Sequence, residues 1–370
     1  MDTKIPFIDL YKQHKTIEDE LKIAITNCIK NSEFIRSQSI FDFEDKFSLL
    51  INSKNCISCG NGTDALYIAM KSLGVKEGDE VITTSLSWIS TSETITQAGG
   101  KVIFCDINPI TYCLDENYLE SIITSKTVGI IPVHLYGQPC EMQKINQIAK
   151  KYNLWIIEDC AQAHLAKYKN RYVGTFGDVA TFSFYPSKNL GAMGDAGCIS
   201  TQKKNLAEWM RLFAQHGGKN IHKLEGINSR MDGIQASILL IKLKYLSAWT
   251  EKRRSISKYY SDRLTGIGDL ALPCEAKNTK HVYHLYTIRT KYRDKLKIFL
   301  QSKGISTVIN YKTPLPLLPC YSHLNLEENS FKVAKNVCDT LLCLPLFPEI
   351  DRDSQDYIIS SINDFFESVK

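Results

Sequence analysis

No stretch of this 370-residue chain approaches the roughly 20 apolar residues of a membrane-spanning helix. The opening residues, Met1-Asp2-Thr3-Lys4-Ile5-Pro6, form no secretory apolar region, so a cytoplasmic location is the expectation. There is no long basic run either. The 45 Lys and Arg are interleaved with 40 Asp and Glu, for a net charge of +5. This argues against a nucleic-acid or membrane-surface partner. The sequence also lacks internal repeats and low-complexity segments. Cys56 and Cys59 have C-x-x-C spacing, but no second pair and no His pair follows at zinc-finger distance. They read as strand residues, and no metal is expected. Other cysteines, such as Cys105 and Cys343, lie inside apolar runs, where a free thiol acts as a small hydrophobe.

What is present suits a globular protein. Apolar residues make up 44% and charged residues 23%, ordinary values for a chain with a substantial core. Near-continuous apolar runs at 80–84, 101–105, 128–132 and 154–158 predict strands buried on both faces. Between them, 64–72, 90–98, 115–124 and 141–151 predict helices. Strand–helix alternation implies an α/β fold with a mainly parallel sheet. Residues 14–30 and 232–248 predict further helices. Beyond about 250, helices at 251–264, 292–303, 329–342 and 352–367 flank short strands such as 282–289. The expected division is a large domain, 1–248, and a smaller α+β domain, 249–370, with about the first twelve residues free to pack elsewhere. The Pro-rich 313–319 must be a loop.

Three segments carry chemistry. Gly60-Asn61-Gly62-Thr63-Asp64-Ala65 precedes a helix whose free N–H groups could cup a phosphate. It also fits a loose dinucleotide pattern, G-x-G-x-x-A, which wants an acid at the end of the next strand. Asp79 and Glu80 lie at that strand's beginning, which argues against the pattern. The plain alternative is a turn with Thr63 or Asp64 capping the helix. In Ile156-Ile157-Glu158-Asp159, an apolar strand runs into an acidic pair, placing Asp159 at its carboxyl end. A carboxylate there can keep a pyridine nitrogen protonated. In Phe182-Ser183-Phe184-Tyr185-Pro186-Ser187-Lys188, a lysine follows an aromatic strand into a loop of small residues. Burial would lower its pKa and make the amine nucleophilic. Ser183 could donate to a phosphate.

Together these segments resemble the DegT/DnrJ/EryC1/StrS family of sugar aminotransferases, in order and spacing. Pro6–Leu10, Pro132–Gln138 and Asn228–Ala236 agree. The resemblance covers nearly the whole chain and weakens after about residue 310. It implies the fold-type I aminotransferase architecture, the cofactor pyridoxal 5'-phosphate (PLP) and a homodimer with shared active sites. By matching position, Lys188 is the lysine that holds PLP as an imine, and Asp159 pairs with its ring nitrogen. Gln162 contacts the ring hydroxyl, and Trp88 stacks on the ring. Gly62, Thr63 and Ser183 hold the phosphate, and Asn228 reaches the phosphate of the neighbouring subunit's cofactor.

The implied reaction moves an amino group from glutamate (or glutamine) to a keto sugar carried on a nucleotide diphosphate. Such sugars serve polysaccharide or secondary-metabolite biosynthesis. Lys188 acts as general base and then acid. Dehydratase relatives replace this lysine by histidine, so Lys188 favours transamination. Lys188-Asn189-Leu190-Gly191 with Gly194-Asp195 resembles the subgroup that aminates C3 of a dTDP-linked 3-keto-6-deoxyhexose. That subgroup has an Ile-His-Tyr segment at the sugar; here it reads Ile309-Asn310-Tyr311, so Asn310 departs from the pattern. Tyr185, Asn310 and Tyr311 are the candidate sugar contacts. Alternatives are a C4-keto or UDP-sugar aminotransferase, a nicotinamide-dependent oxidoreductase using Gly60–Ala65, and a non-enzymatic relative acting as a regulator.

Overall fold

Strands form where β-branched and apolar residues run together between turns. The computed structural model describes residues 4–369; Met1–Thr3, part of the N-terminal stretch read above, lie outside it. Its strands are β1 (Asn55–Cys59), β2 (Glu80–Thr84), β3 (Lys101–Cys105), β4 (Thr127–Ile131), β5 (Trp155–Asp159), β6 (Lys167–Tyr168), β7 (Arg171–Tyr172), β8 (Val179–Ser183), β9 (Gly197–Thr201), β10 (Thr279–Lys280), β11 (Tyr286–Arg289) and β12 (Leu341–Leu344).

Seven of these form one sheet in the order β1-β9-β8-β5-β4-β2-β3. Strands β8, β5, β4, β2 and β3 pair in parallel. Strand β9 runs antiparallel to both β1 and β8, so β1 points the same way as the parallel set. Helices Gly62–Ser72, Ser90–Gln97 and Met142–Tyr152 lie between strands in the sequence. Crossover helices cover a parallel sheet on its faces, which is why β2 is buried at every position. The α/β core expected from the alternation is the one observed. Cys59, Thr84, Ile131, Asp159 and Ser183 are the last residues of β1, β2, β4, β5 and β8. One edge of the sheet therefore collects all the loops that carry the motifs.

A second core surrounds the antiparallel pair β11–β12, with Tyr260, Leu296, Leu300, Ile358 and Ile362. Ile5 packs into it and bridges Ile305. Helix Leu246–Leu264 runs from one core to the other: Leu246 belongs to the sheet's core, Tyr260 to the second. Between them, buried Arg253 donates through Nη1 to the carbonyls of Leu346 (3.0 Å), Tyr283 and His284 (both 3.4 Å).

Several local expectations need correction. Residues 115–124 form no α-helix, only a 3-10 turn at Leu119–Ile122. Asp115 ties up the Asn117 amide at 2.9 Å, and Thr124 turns away to donate to Glu80 Oε2 at 2.6 Å. The 14–30 helix is two, Leu10–Lys15 and Glu18–Asn31; along its apolar face Ile17, Leu21 and Cys28 are buried and Ile25 is half-buried. The 232–248 helix breaks after Leu243, and the 329–342 helix stops at Thr340, where β-rich Leu341–Leu344 pairs with β11 instead. Strand β11 begins only at Tyr286, because Val282 and His284 bond to Gly137 and Tyr136. Helices Gln38–Ile51 and Lys204–Phe213 and strand β9 were not anticipated. No helix among the described residues is long and apolar enough to cross a membrane.

Arg253→Met removes the donor shared by three buried carbonyls. We expect a loss of about 2–3 kcal/mol, read as a lowered urea midpoint. An unchanged midpoint would show that Arg253 does not join the two cores.

Candidate active site

At the end of β1 the chain turns through Gly60-Asn61-Gly62 into helix Gly62–Ser72. The cap is Asn61, whose side chain accepts from Asp64 N at 2.8 Å, rather than Thr63 or Asp64. Among the described residues, the amides of Gly62 and Thr63 have no protein acceptor, and they sit at the positive end of the helix. Gly62 abuts Ser183 at the tip of β8: a Cβ on Gly62 would fall 2.7 Å from Ser183 Cβ. Only glycine leaves this cradle open. Thr63 Oγ1 is hydrogen-bonded with Ser90 Oγ at 2.7 Å. Ser229, which the sequence reading passed over, accepts from Gly60 N (2.9 Å) and donates to Asp64 Oδ2 (2.6 Å). Its only signal was its place beside Asn228.

Asp159 closes β5 and is buried. Its Oδ2 accepts from Thr91 Oγ1 at 2.9 Å and its Oδ1 from Ala161 N at 3.1 Å. Burial raises its pKa; those two hydrogen bonds and the Lys188 charge oppose the rise. Thr91 was also missed: it lies one turn after Trp88, with no motif of its own. Lys188 is half-buried in the loop after β8. Desolvation brings its pKa down to about 8, with Asp159 pulling the other way. Its amide donates to the Tyr185 carbonyl at 2.8 Å, but its Nζ bonds to no protein group among the described residues. Behind it lies His164, buried among Phe47, Phe182 and Phe184, with neither ring nitrogen partnered among the described residues. Burial and the Lys188 charge lower the His164 pKa to about 3, so the ring is neutral.

Gln162 is fixed from two sides. Its Oε1 accepts from Tyr136 N at 2.7 Å, and its Nε2 donates to the Tyr311 hydroxyl at 3.0 Å. Tyr311 in turn faces Trp88, with ring centroids 6.1 Å apart. Trp88 is 60% exposed, so it is no buried core residue. The Asn310 carbonyl accepts from the Tyr136 hydroxyl. Lys188, Asp159, Gln162, Trp88, Tyr311, Gly62, Thr63 and Ser183 thus line one edge of the sheet. Tyr185 stands 55% exposed at the rim, and Asn228 is exposed beside Ser229. No side-chain contact within the described chain draws either one inward.

Three chemically different features converge here: an open cup with amide and hydroxyl donors, a buried carboxylate and an unpaired, partly desolvated amine. They fit the phosphate, ring nitrogen and aldehyde of PLP. The nicotinamide alternative fails on geometry. Glu80 begins β2, at the opposite edge from the Gly62 turn, and is engaged by Lys101 (3.3 Å).

The fold is that of known aminotransferases. It superposes on the crystal structure of S. venezuelae DesV in complex with a ketimine intermediate with a TM-score of 0.96, at 34% identity, covering 98% of this chain and 99% of that one. The fold and site together define a PLP-dependent aminotransferase. The model of the DegT/DnrJ/EryC1/StrS aminotransferase family matches residues 15–363, and the chain belongs to that family. It is 41% identical over 366 residues to a "Pleiotropic regulatory protein" of Geobacillus stearothermophilus, covering 98% of each. It is 37% identical over 361 residues to the dTDP-3-amino-3,6-dideoxy-alpha-D-galactopyranose transaminase of Aneurinibacillus thermoaerophilus, covering 97% of this chain and 99% of that one.

Only a neutral amine attacks an aldehyde. With the Lys188 pKa at about 8, the rate at which apoprotein captures PLP should climb about tenfold per pH unit below that point and level off above it. Stopped-flow absorbance measures this. A midpoint near the 10.5 of a free lysine would mean the amine is not desolvated.

Proposed function

We propose that this chain aminates a nucleotide-diphosphate keto sugar, with Lys188 and Asp159 as its catalytic residues. The observation that carries this is the meeting of the Lys188 amine, the Asp159 carboxylate and the Gly62–Ser183 cradle at one sheet edge. PLP, when bound, supplies an electron sink for the carbanion formed at the amino donor. Lys188 Nζ would take the proton from the donor's Cα and hold it for return. A pKa near neutrality suits one group to both tasks. Asp159 would hold a proton on the nitrogen facing it. Gln162 has one Nε2 proton committed to Tyr311; the other remains to meet the ring hydroxyl. Gly62, Thr63 and Ser183 would bind the phosphate, and the Trp88 indole would cover a ring face and exclude water. Asn228 would complete the phosphate site of a second copy, which makes the working unit a homodimer. The second core supports our division into 1–248 and 249–370.

For the substrate we favour a dTDP-linked 3-keto-6-deoxyhexose, with glutamate as donor. The name of the A. thermoaerophilus relative describes amination at C3 of a dTDP sugar. Tyr185, Asn310 and Tyr311 are then the sugar contacts. Asn310 carries no charge where the resembling subgroup has histidine, so it offers hydrogen bonds only.

A panel of dTDP- and UDP-linked 3-keto and 4-keto sugars, each with glutamate, should give one strongly preferred amino sugar by mass spectrometry. We expect a dTDP 3-keto sugar. Preference for a 4-keto or UDP substrate would overturn that choice while leaving the aminotransferase reading intact. Lys188→Ala should abolish turnover. The name of the G. stearothermophilus relative favours a second reading, a regulator. A chain that binds PLP yet never converts it to the pyridoxamine form with glutamate would support it.

A further inference from the structure

One of the most deeply buried side chains in the molecule is a lysine outside the site described above. Lys242 is 1% exposed, although lysine is almost never fully buried unless paired. It lies in the last turn of helix Gly233–Leu243. Its Nζ donates to the Gly191 carbonyl at 2.7 Å and to His14 Nε2 at 2.8 Å. Burial and the Lys242 charge lower the His14 pKa to about 4, so that ring is neutral and can accept. Burial lowers Lys242 itself to about 8, opposed by the Glu349 carboxylate. At neutral pH the Lys242 amine is mostly protonated.

Gly191 lies three residues beyond Lys188, and the loop between them is tight. The Ala192 amide donates to the Phe184 carbonyl at 2.7 Å, and a Cβ on Gly191 would fall 2.2 Å from the Pro186 carbonyl oxygen. The same helix grips this loop a second time: Gln235 Oε1 accepts from Met193 N at 2.9 Å. Gln235 and Lys242 are two helical turns apart, so they share a face. On the loop's other side, Asn189 donates to the Val282 carbonyl and bonds with His284 Nδ1, each at 3.2 Å. The Lys188 side chain has no protein partner of its own among the described residues. Its place is set by its backbone.

We propose that Lys242 and Gln235 are positioning residues for Lys188. They brace the loop that carries it from one face of helix Gly233–Leu243. Burying an ammonium costs stability, and a hydrophobe of similar volume often does as well or better. A donor aimed at the Gly191 carbonyl does what a methyl group cannot: it fixes the direction of a peptide three residues from the reactive amine. The His14 bond extends the brace to the N-terminal helix. This inference rests on the reading of Lys188 as the cofactor lysine.

The test is a set of double-mutant cycles. PLP affinity of apoprotein is titrated for the parent, Lys242→Met, Gln235→Met, Lys188→Ala and the two doubles with Lys188→Ala. With Lys188 present, Lys242→Met should weaken PLP binding about tenfold, and Gln235→Met by a smaller factor in the same direction; neither should cost more than about twofold once Lys188 is alanine. In the single variants, kcat should fall by up to about 10²-fold while the sugar KM changes little. Equal losses in both backgrounds would show that the helix supports the whole cup and would overturn the proposal, as would no loss in either. Gln235→Met touches a single bond near the surface and decides the matter alone if Lys242→Met does not fold. If Lys188→Ala itself binds PLP as tightly as the parent, the reading of Lys188 has failed, and the brace falls with it.

Discussion

The structure depends on placing an amine and a carboxylate together in one desolvating pocket. Burial acts alike on both: it disfavours the ammonium of Lys188 and the carboxylate of Asp159. What differs between them is how far hydrogen bonds oppose it. Asp159 accepts from Thr91 and from Ala161 N, both of which favour its charged form. Burial nonetheless prevails at both: the Asp159 pKa is still raised, and the Lys188 pKa, opposed only by the Asp159 charge, falls to about 8. The two groups also attract each other, which limits how far either can be neutralised.

The parallel sheet makes this pairing rigid. The residue before Asp159 is tied into the core by four contacts. Glu158 accepts from the amides of Phe176 and Gly177 (2.7 Å each) and Gly174 (2.9 Å), and pairs with His134 Nε2 at 3.0 Å. His134 Nδ1 in turn accepts from Cys140 N at 3.0 Å, which makes Nε2 the protonated nitrogen. A buried carboxylate so fully partnered acts as a strut, and the neighbouring strand tip inherits its rigidity. On the other side, helix Ser90–Gln97 presents Ser90 to Thr63 and Thr91 to Asp159. The Gly62–Thr63 turn and the carboxylate are therefore held by adjacent residues of one short helix.

Much of this was legible in the chain. The runs at 80–84 and 101–105 are strands at the expected residues, because each centres on β-branched and apolar residues, Val81-Ile82 and Val102-Ile103-Phe104. Asp159 reads as a strand tip for the same reason: the apolar run stops there. Other elements were hidden. Residues 115–124 have helical spacing, but Asp115 and Thr124 divert the backbone with their own hydrogen bonds. Leu341–Leu344 looks like the end of a helix until β11 offers it a partner. Pairing across distant segments leaves no local trace.

By itself, the sequence determined the α/β class, the family resemblance, and which lysine and aspartate to suspect. These follow from apolar periodicity and from residues whose chemistry is uncommon at such positions. Only the tertiary structure decided that Thr91 supports Asp159, that Ser229 closes the Gly60 turn, and that Gln162 is held between Tyr136 and Tyr311. It alone showed the buried ammonium of Lys242 against the loop of Lys188. Each of these is a hydrogen bond between residues tens to hundreds of positions apart. Such a bond needs an approach to about 3 Å at the right angle, and only the packed fold sets that distance.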